Sequence, residues 1–304
     1  MKRLFLKAAG AVATGALLQA CGGGGGGGGG SGNPSGSQTL LQLLQQDGRF
    51  STLLSAVQNA GLADQLGQAG ASQTLFAPDN DAFARLASRT GTLSDAKLAE
   101  FVSFHVVRRF YSAAALRSLA ASSPNTADTL FGDAPPNEAK LIFFTDNGQL
   151  NIWDGIGRTS ITITEPDLAA NNGVLHVVSD VMVPRGVLTV SQILRASIDS
   201  FSEFAASMVN SGATGAFSGS AVTVFVPDNS RADASALTNS QVLHHAVAGE
   251  IGSNAFTTRT LTPLSGGALR LVKGPPDTIN GRNITDVDFF GSNGVIHVVD
   301  GILP

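Results

Sequence analysis

The chain has 304 residues, 43% of them hydrophobic and 14% charged, with a formal net charge of −4, five histidines and one cysteine. Such a length accommodates two domains of ordinary size, and the scattered basic residues form no positive footprint of the kind nucleic-acid binding needs. A lone cysteine excludes an intramolecular disulfide framework, so stability must come from buried apolar cores.

The first segment, MKRLFLKAAGAVATGALLQAC, reads as an export leader rather than part of a fold. Lys2, Arg3 and Lys7 form a positive n-region, and the apolar stretch from Ala8 to Leu18 is too short to span a bilayer. Its end, Leu18-Gln19-Ala20-Cys21, resembles the lipobox of bacterial lipoproteins. The resemblance implies a signal peptide over 1–20, a diacylglycerol on the Cys21 thiol and a membrane anchor. An ordinary cleaved leader is the plainer alternative. Gly22, in place of the aspartate that would resemble an inner-membrane retention signal, implies the outer membrane or cell surface. Gly22 to Gly30 are nine consecutive glycines, followed by SGNPSGS. Ordering them costs more backbone entropy than they can recover, so residues 21–37 read as a tether with a reach on the order of 20–25 Å. Without the three leader cations, sixteen Lys+Arg face twenty-three Asp+Glu.

Beyond the tether the chain spells itself twice. DGRFSTLLSAVQNAG (47–61) lies over IDSFSEFAASMVNSG (198–212) without a gap. Phe50, Leu53, Leu54 and Val57, like Phe201, Phe204, Ala205 and Met208, have the spacing of one amphipathic helix face, with Gly61 and Gly212 as stops. TLFAPDNDAF (74–83) matches TVFVPDNSRA (223–232), a short β-type run into a proline, after which Asp79 or Asp228 can cap a helix. FHVV (104–107) matches HHAV (244–247), and NGVLHVVSDVMVP (172–184) matches NGVIHVVDGILP (293–304). In both copies an Asp stands nine residues before the late His: Asp167 before His176, Asp288 before His297. Copy two is trimmed in the helical middle, so a helix formed around SDAKLAEF (94–101) must be shortened or absent there. LIFFTDNGQLNIW (141–153) predicts a hairpin about Asn147-Gly148. TSITITEPD (159–167) alternates as a strand. NGVLHVV predicts a tight Asn172-Gly173 turn and then a strand with Val174, His176 and Val178 on one face.

Helices first and strands later make each copy an α+β domain. The fixed order of helix, LFAPDNDAF, HVV, PDLAANNGVLHVV and a closing proline, present twice, resembles the fasciclin domain over 38–185 and 187–304. The resemblance implies two tandem wedge-shaped β-sandwiches of about seven strands, each with helices at one edge. The linker at 185–187 is so short that the two bodies should touch.

No catalytic or metal constellation emerges. There is no HExxH spacing, no second cysteine, no G-x-S-x-G elbow and no spaced acidic calcium loop. His244 and His245, if on a strand, point to opposite faces. His105, His176, His245 and His297, with Phe104, read as family-motif structural residues, buried and bonded to backbone groups. No cofactor is expected. In animal matrix members of the family, adhesion is attributed to a Tyr-His segment and to an EPDIM-like stretch. Here Phe104-His105 and His244-His245 lack the tyrosine, whereas EPDLA (165–169) is similar to the second motif and DVDFF (286–290) takes its place in copy two. Glu165, Pro166, Asp167, Leu168, Asp288 and Phe289 are therefore the candidate partner-binding residues, with one of Phe289 and Phe290 expected at the surface. The competing reading is that Asp167 and Asp288 bond to nearby backbone amides and hold the turn.

These observations predict a non-enzymatic adhesion or binding protein, anchored to a membrane by lipid, whose partner is a protein or polysaccharide of a cell surface or matrix and not a nucleic acid. The alternatives are a periplasmic lipoprotein that carries a small apolar ligand, and a hydrolase, which would need a Ser/His/acid trio.

Overall fold

The computed structural model describes residues 36–132, 140–156, 160–231 and 233–304. The leader, Cys21 and most of the tether lie outside the described residues. The first half runs α1 (Leu40–Gln46), α2 (Ser51–Asn59), α3 (Ala63–Gly67), β1 (Gln73–Pro78), α4 (Asn80–Thr90), α5 (Asp95–Phe104), β2 (Val106–Val107), α6 (Ala113–Ala120), β3 (Thr126–Asp128), β4 (Lys140–Asp146), β5 (Gln149–Trp153), β6 (Ser160–Ala170) and β7 (Gly173–Val178). The second half runs α7 (Val190–Ala196), α8 (Ile198–Asn210), β8 (Val222–Pro227), α9 (Asn239–His244), β9 (Ala246–Ala248), β10 (Arg259–Leu261), β11 (Leu269–Val272), β12 (Thr278–Ile279), β13 (Arg282–Gly291) and β14 (Gly294–Val299).

Among the described residues each half builds one seven-stranded sheet. The strand orders are β2-β1-β7-β6-β5-β4-β3 and β9-β8-β14-β13-β12-β11-β10, the same topology twice. In both, the first strand pairs in parallel with the last, β1 with β7 and β8 with β14. These four strands are buried along their whole length, as strands covered on both faces must be. Leu75, Ala77, Leu175 and Val177 face the helices, and Phe76 and Val178 face a second core with Phe143, Ile152 and Ile161 from the other end of the sheet. The sheet therefore folds over on itself. Its edges meet where Val107 bridges Thr129 and Leu130 N–H donates to Val106 O at 2.7 Å. Val247 with Pro263, and Leu264 with Ala246, repeat that closure.

Local signals account for the element ends. Thr39, Thr189 and Thr238 each cap a helix in a reciprocal box with Gln42, Gln192 and Gln241. Asp79 caps α4 through Ala82 N–H. Asn147 and Gly148 turn the β4–β5 hairpin with φ of 49° and 78°, the left-handed pair a two-residue hairpin needs.

Three expectations are corrected. Asp228 caps no helix: it accepts from Ser230 N–H and Oγ–H in a local turn, and no described helix follows before α9. Among the described residues copy two thus shows no counterpart of α4, while the counterpart of α5 survives as the six-residue α9. Secondly, the tight turn before the closing strand is Asn171-Asn172, not Asn172-Gly173, and in copy two it is Ser292-Asn293. Gly173 already pairs with Gln73 in the sheet, and a Cβ there would stand 2.4 Å from Gln73 O. Thirdly, His244 and His245 are not on a strand: the first ends α9 and the second is its C-cap.

The two bodies touch, as the short linker requires. Gln192 of α7 donates through Nε2 to Thr90 O at the end of α4 (3.1 Å) and accepts from Lys97 Nζ at 3.3 Å. Arg185 lies over the Phe290 ring at 4.2 Å.

Candidate functional site

The EPDL stretch sits on a β-bulge. The pairing of β6 with β7 slips between Ile163 and Leu168, and Asp167 takes φ of 62°. β13 slips at the equivalent place, and Asp288 takes φ of 68°. A short polar side chain makes this left-handed conformation tolerable for a non-glycine residue. Bulges re-aim side chains in this way at the borders of sheets.

The bulge is held by histidine. Asp167 N–H donates to His176 Nδ1 at 3.1 Å, and His176 Nε2–H donates to Tyr111 O at 2.8 Å. Because Nδ1 receives an N–H, the ring proton sits on Nε2. In copy two Asp288 N–H donates to His297 Nδ1 at 3.3 Å, and His297 Nε2–H donates to Ile251 O at 2.8 Å. Burial pushes both imidazoles below their ordinary pKa, opposed by the backbone carbonyl and the neighbouring Asp charge. The carboxylates are in use as well. Asp167 Oδ1 accepts from Ala113 N–H at the start of α6 (2.8 Å), and Asp288 accepts from Ser253 N–H (2.8 Å) and Ser253 Oγ–H. Thr74 and Thr223 complete the pattern. Each donates to a loop carbonyl, Arg109 O or Gly249 O, and accepts an N–H two residues on, from Tyr111 or Ile251.

The other pair, His105 and His245, is buried at the ends of α5 and α9. His105 Nδ1–H donates to Phe101 O (2.7 Å), and its Nε2 accepts from Met182 N–H (2.9 Å). His245 Nδ1–H donates to Phe225 O (2.6 Å), and its Nε2 accepts from Leu303 N–H (3.2 Å). Both rings are neutral, with burial lowering each pKa to about 4. Phe104 beside His105 is fully buried in the core.

Glu165, Pro166 and Asp167 are exposed, and Leu168 is half-buried against the helix-side core. Glu165 accepts from Arg49 Nη1 at 3.0 Å. The same guanidinium binds Asp47, whose carboxyl the hydrogen bond from Arg49 holds below its usual pKa. Neither Phe289 nor Phe290 is at the surface, which corrects the expectation for copy two. Both are half-buried, the first on the core and the second beneath Arg185. The bulges also differ in setting. Asn171 N–H donates to Gln38 O (2.7 Å), so the first lies where the tether enters domain one. Ser292 N–H donates to Leu188 O (2.8 Å) and Gly186 N–H to Phe290 O (3.1 Å), so the second lies against the linker between the domains.

Sequence reasoning missed Asn172 and Asn293. Asn172 Oδ1 accepts from Leu40 N–H at the start of α1, and its Nδ2 donates to Leu66 O and Gln68 O. Asn293 does the same with Val190 N–H, Phe217 O and Ser220 O. Their equivalence in the repeat was the available signal. Among the described residues, no group of three or more His, Cys, Asp or Glu stands where it could hold a metal ion.

The profile of the Fasciclin domain matches residues 48–184 and 199–304. The chain belongs to the fasciclin family. It is 31% identical over 149 residues, 48% of this chain, to transforming growth factor-beta-induced protein ig-h3 of Sus scrofa, and spans 19% of that protein. It is also 31% identical over 155 residues, 49% of this chain and 74% of the relative, to protein sll1483 of Synechocystis. To fasciclin-like arabinogalactan protein 12 of Arabidopsis thaliana it is 27% identical, over 42% of this chain and 52% of that one. A solved FAS1 domain pair from the insect cell adhesion molecule fasciclin I aligns with 85% of this chain and 98% of its own, at 17% identity and a TM-score of 0.42. Both fasciclin domains place a histidine-clamped bulge on the penultimate strand.

Proposed function

We propose that this chain is a non-catalytic adhesion protein, exported by the leader at 1–20, anchored through lipid on Cys21 and held off the membrane by the tether at 21–37. Its fasciclin domains, 38–185 and 187–304, engage a protein or polysaccharide of a cell surface or matrix. Fasciclin domains are associated with adhesion, and the family membership supports that role here. The observation that carries the reading is the exposed Glu165-Pro166-Asp167 bulge, fixed from beneath by His176 and the start of α6. A rigid, exposed turn loses little entropy on binding. In domain two Val287 is exposed but Asp288 and Phe289 are half-buried and Phe290 lies beneath Arg185 of the linker, so domain one is taken as the contact-making copy. The space between Leu86, Ile156, Val183 and Ala196 is about 10 Å³, room for about one water and too small for an apolar ligand.

Beads coated with residues 36–304 test the contact. Attachment to cells or matrix should fall when Glu165 and Pro166 are both changed to Ala, surface changes that leave the clamp intact. Undiminished attachment removes the bulge from the reading. Palmitate labelling of the whole chain and of Cys21→Ser tests the anchor: label in both, or in neither, refutes it.

A further inference from the structure

The repeat is broken at one contact, and a groove lies beside it. Phe104 is fully buried and stacks edge-on against Phe131 at 5.9 Å. The equivalent pair in domain two follows from the backbone. His105 O and His245 O accept from Phe76 N–H and Phe225 N–H, which aligns residue 104 with 244. The closing bonds from Leu130 to Val106 and from Leu264 to Ala246 align 131 with 265. An apolar aromatic pair in domain one is thus a His244–Ser265 hydrogen bond of 3.2 Å in domain two. His244 is also the one histidine with no counterpart in the other copy.

A core does not need that exchange, since the Phe pair closes the same corner in domain one. Beside His244 lies an open groove of about 470 Å³, lined also by Ser240, Gln241, Arg282, Ile302 and Pro304, within the roughly 300–1,000 Å³ of small-molecule sites. Its free donors are on Gln241 and Arg282, while Pro304 O, also in the lining, accepts from His244 and Asn280. His244 is spent on Ser265 and on Pro304 O at 3.1 Å. Gln241 Oε1 accepts from Thr238, which leaves its amide NH₂. Arg282 uses Nε on Ile302 O at 3.0 Å, which orients the guanidinium and leaves both terminal nitrogens. No ion pair occupies Arg282 among the described residues. Gly301 makes room for it, because a Cβ there would stand 2.9 Å from Arg282 Cζ.

We infer that this groove is a binding site for a uronate, a sugar ring bearing a carboxylate. A planar guanidinium with two free N–H groups matches a carboxylate in bidentate fashion. The amide of Gln241 and the hydroxyl of Ser240 match ring hydroxyls, and the side of Ile302 and Leu303 offers an apolar surface to the ring's C–H face. The site stands on its own residues and is independent of the adhesion reading.

Titration of the full chain with glucuronate and with oligogalacturonate, followed by calorimetry or NMR, tests this. Saturable binding is expected, with neutral glucose at least about tenfold weaker, the usual weight of a charge-assisted pair, and inorganic sulfate also weaker because it lacks the sugar ring that Gln241, Ser240 and Ile302 would contact. Arg282→Gln should weaken uronate binding about tenfold or more. The double change His244→Phe with Ser265→Phe, which restores the pair of domain one, should abolish it while the melting temperature holds or rises. Binding that survives Arg282→Gln in a folded protein overturns the proposal. So does sulfate binding as well as uronate, or an acidic peptide that saturates the groove where uronate does not.

Discussion

Asp167 and His176 are joined through the backbone N–H of the first and Nδ1 of the second, at 3.1 Å. The nine-residue spacing between them in sequence is the length of the hairpin that brings the bulge of β6 over β7. Asp288 and His297 reproduce it in the second domain. The repeated Asp-to-His interval therefore records a structural clamp.

Removing the clamp should cost domain one heavily. His176→Ala leaves the Asp167 N–H and Tyr111 O without partners and empties the space against Phe76, whose ring lies 5.6 Å from the imidazole. The sum is about 3–5 kcal/mol. Urea unfolding followed by fluorescence of Trp153, the single tryptophan and a residue of domain one, measures it. A loss under about 1 kcal/mol would contradict the buried geometry.

Stability should fall with acid well before the carboxylates titrate. His105 and His245 have folded pKa values of about 4, against 6.5 for the exposed side chain, because burial disfavours the charged ring. Between those values the unfolded chain binds more protons than the folded one. The contribution is fully present above about pH 6.5, is lost as pH falls towards 4, and changes no further below it. Each ring accounts for about 3 kcal/mol, and His176 and His297 act with the same sign. Urea midpoints between pH 7 and 4.5 should drop steadily; a flat profile would show that the rings are not held neutral.

The glycines that open the closing strands should tolerate nothing larger. A Cβ on Gly294 would stand 1.9 Å from Val222 O, at φ of 146°. Gly294→Ala should abolish cooperative folding of domain two by circular dichroism. Gly281, at φ of 78° with open space around its Cβ position, is the control: Gly281→Ala should cost only about 1–2 kcal/mol.

The carboxylate of Asp167 should be replaceable by an amide. Asn tolerates the left-handed backbone and keeps an acceptor for Ala113 N–H, so Asp167→Asn should change stability by less than about 0.5 kcal/mol. Asp167→Ala loses both and should cost about 1–3 kcal/mol. If the Asn variant retains its fold but loses adhesion, the charge itself is the contact.

Much of the molecule was legible because it is written twice. The amphipathic helices, the Asn147-Gly148 hairpin, the Asp79 cap and the alternation about His176 each follow from local pattern and turn chemistry. The errors came where local chemistry was ambiguous. Asp228 has the same PDN context as Asp79, yet among the described residues no helix follows it before α9. Asn172-Gly173 spells a turn, but Gly173 is glycine because Gln73 O lies against it.

The sequence by itself determined the repeat, the order of helices and strands and the histidines as interior residues, because periodicity and capping act within a few positions of each side chain. Only the tertiary structure decided how far each bulge is exposed, why Asn172 and Asn293 are present, and that His244 with Ser265 stands where domain one has an aromatic pair. Those facts depend on atoms brought together across dozens of residues, where packing and the satisfaction of buried polar groups, rather than local propensity, set the outcome.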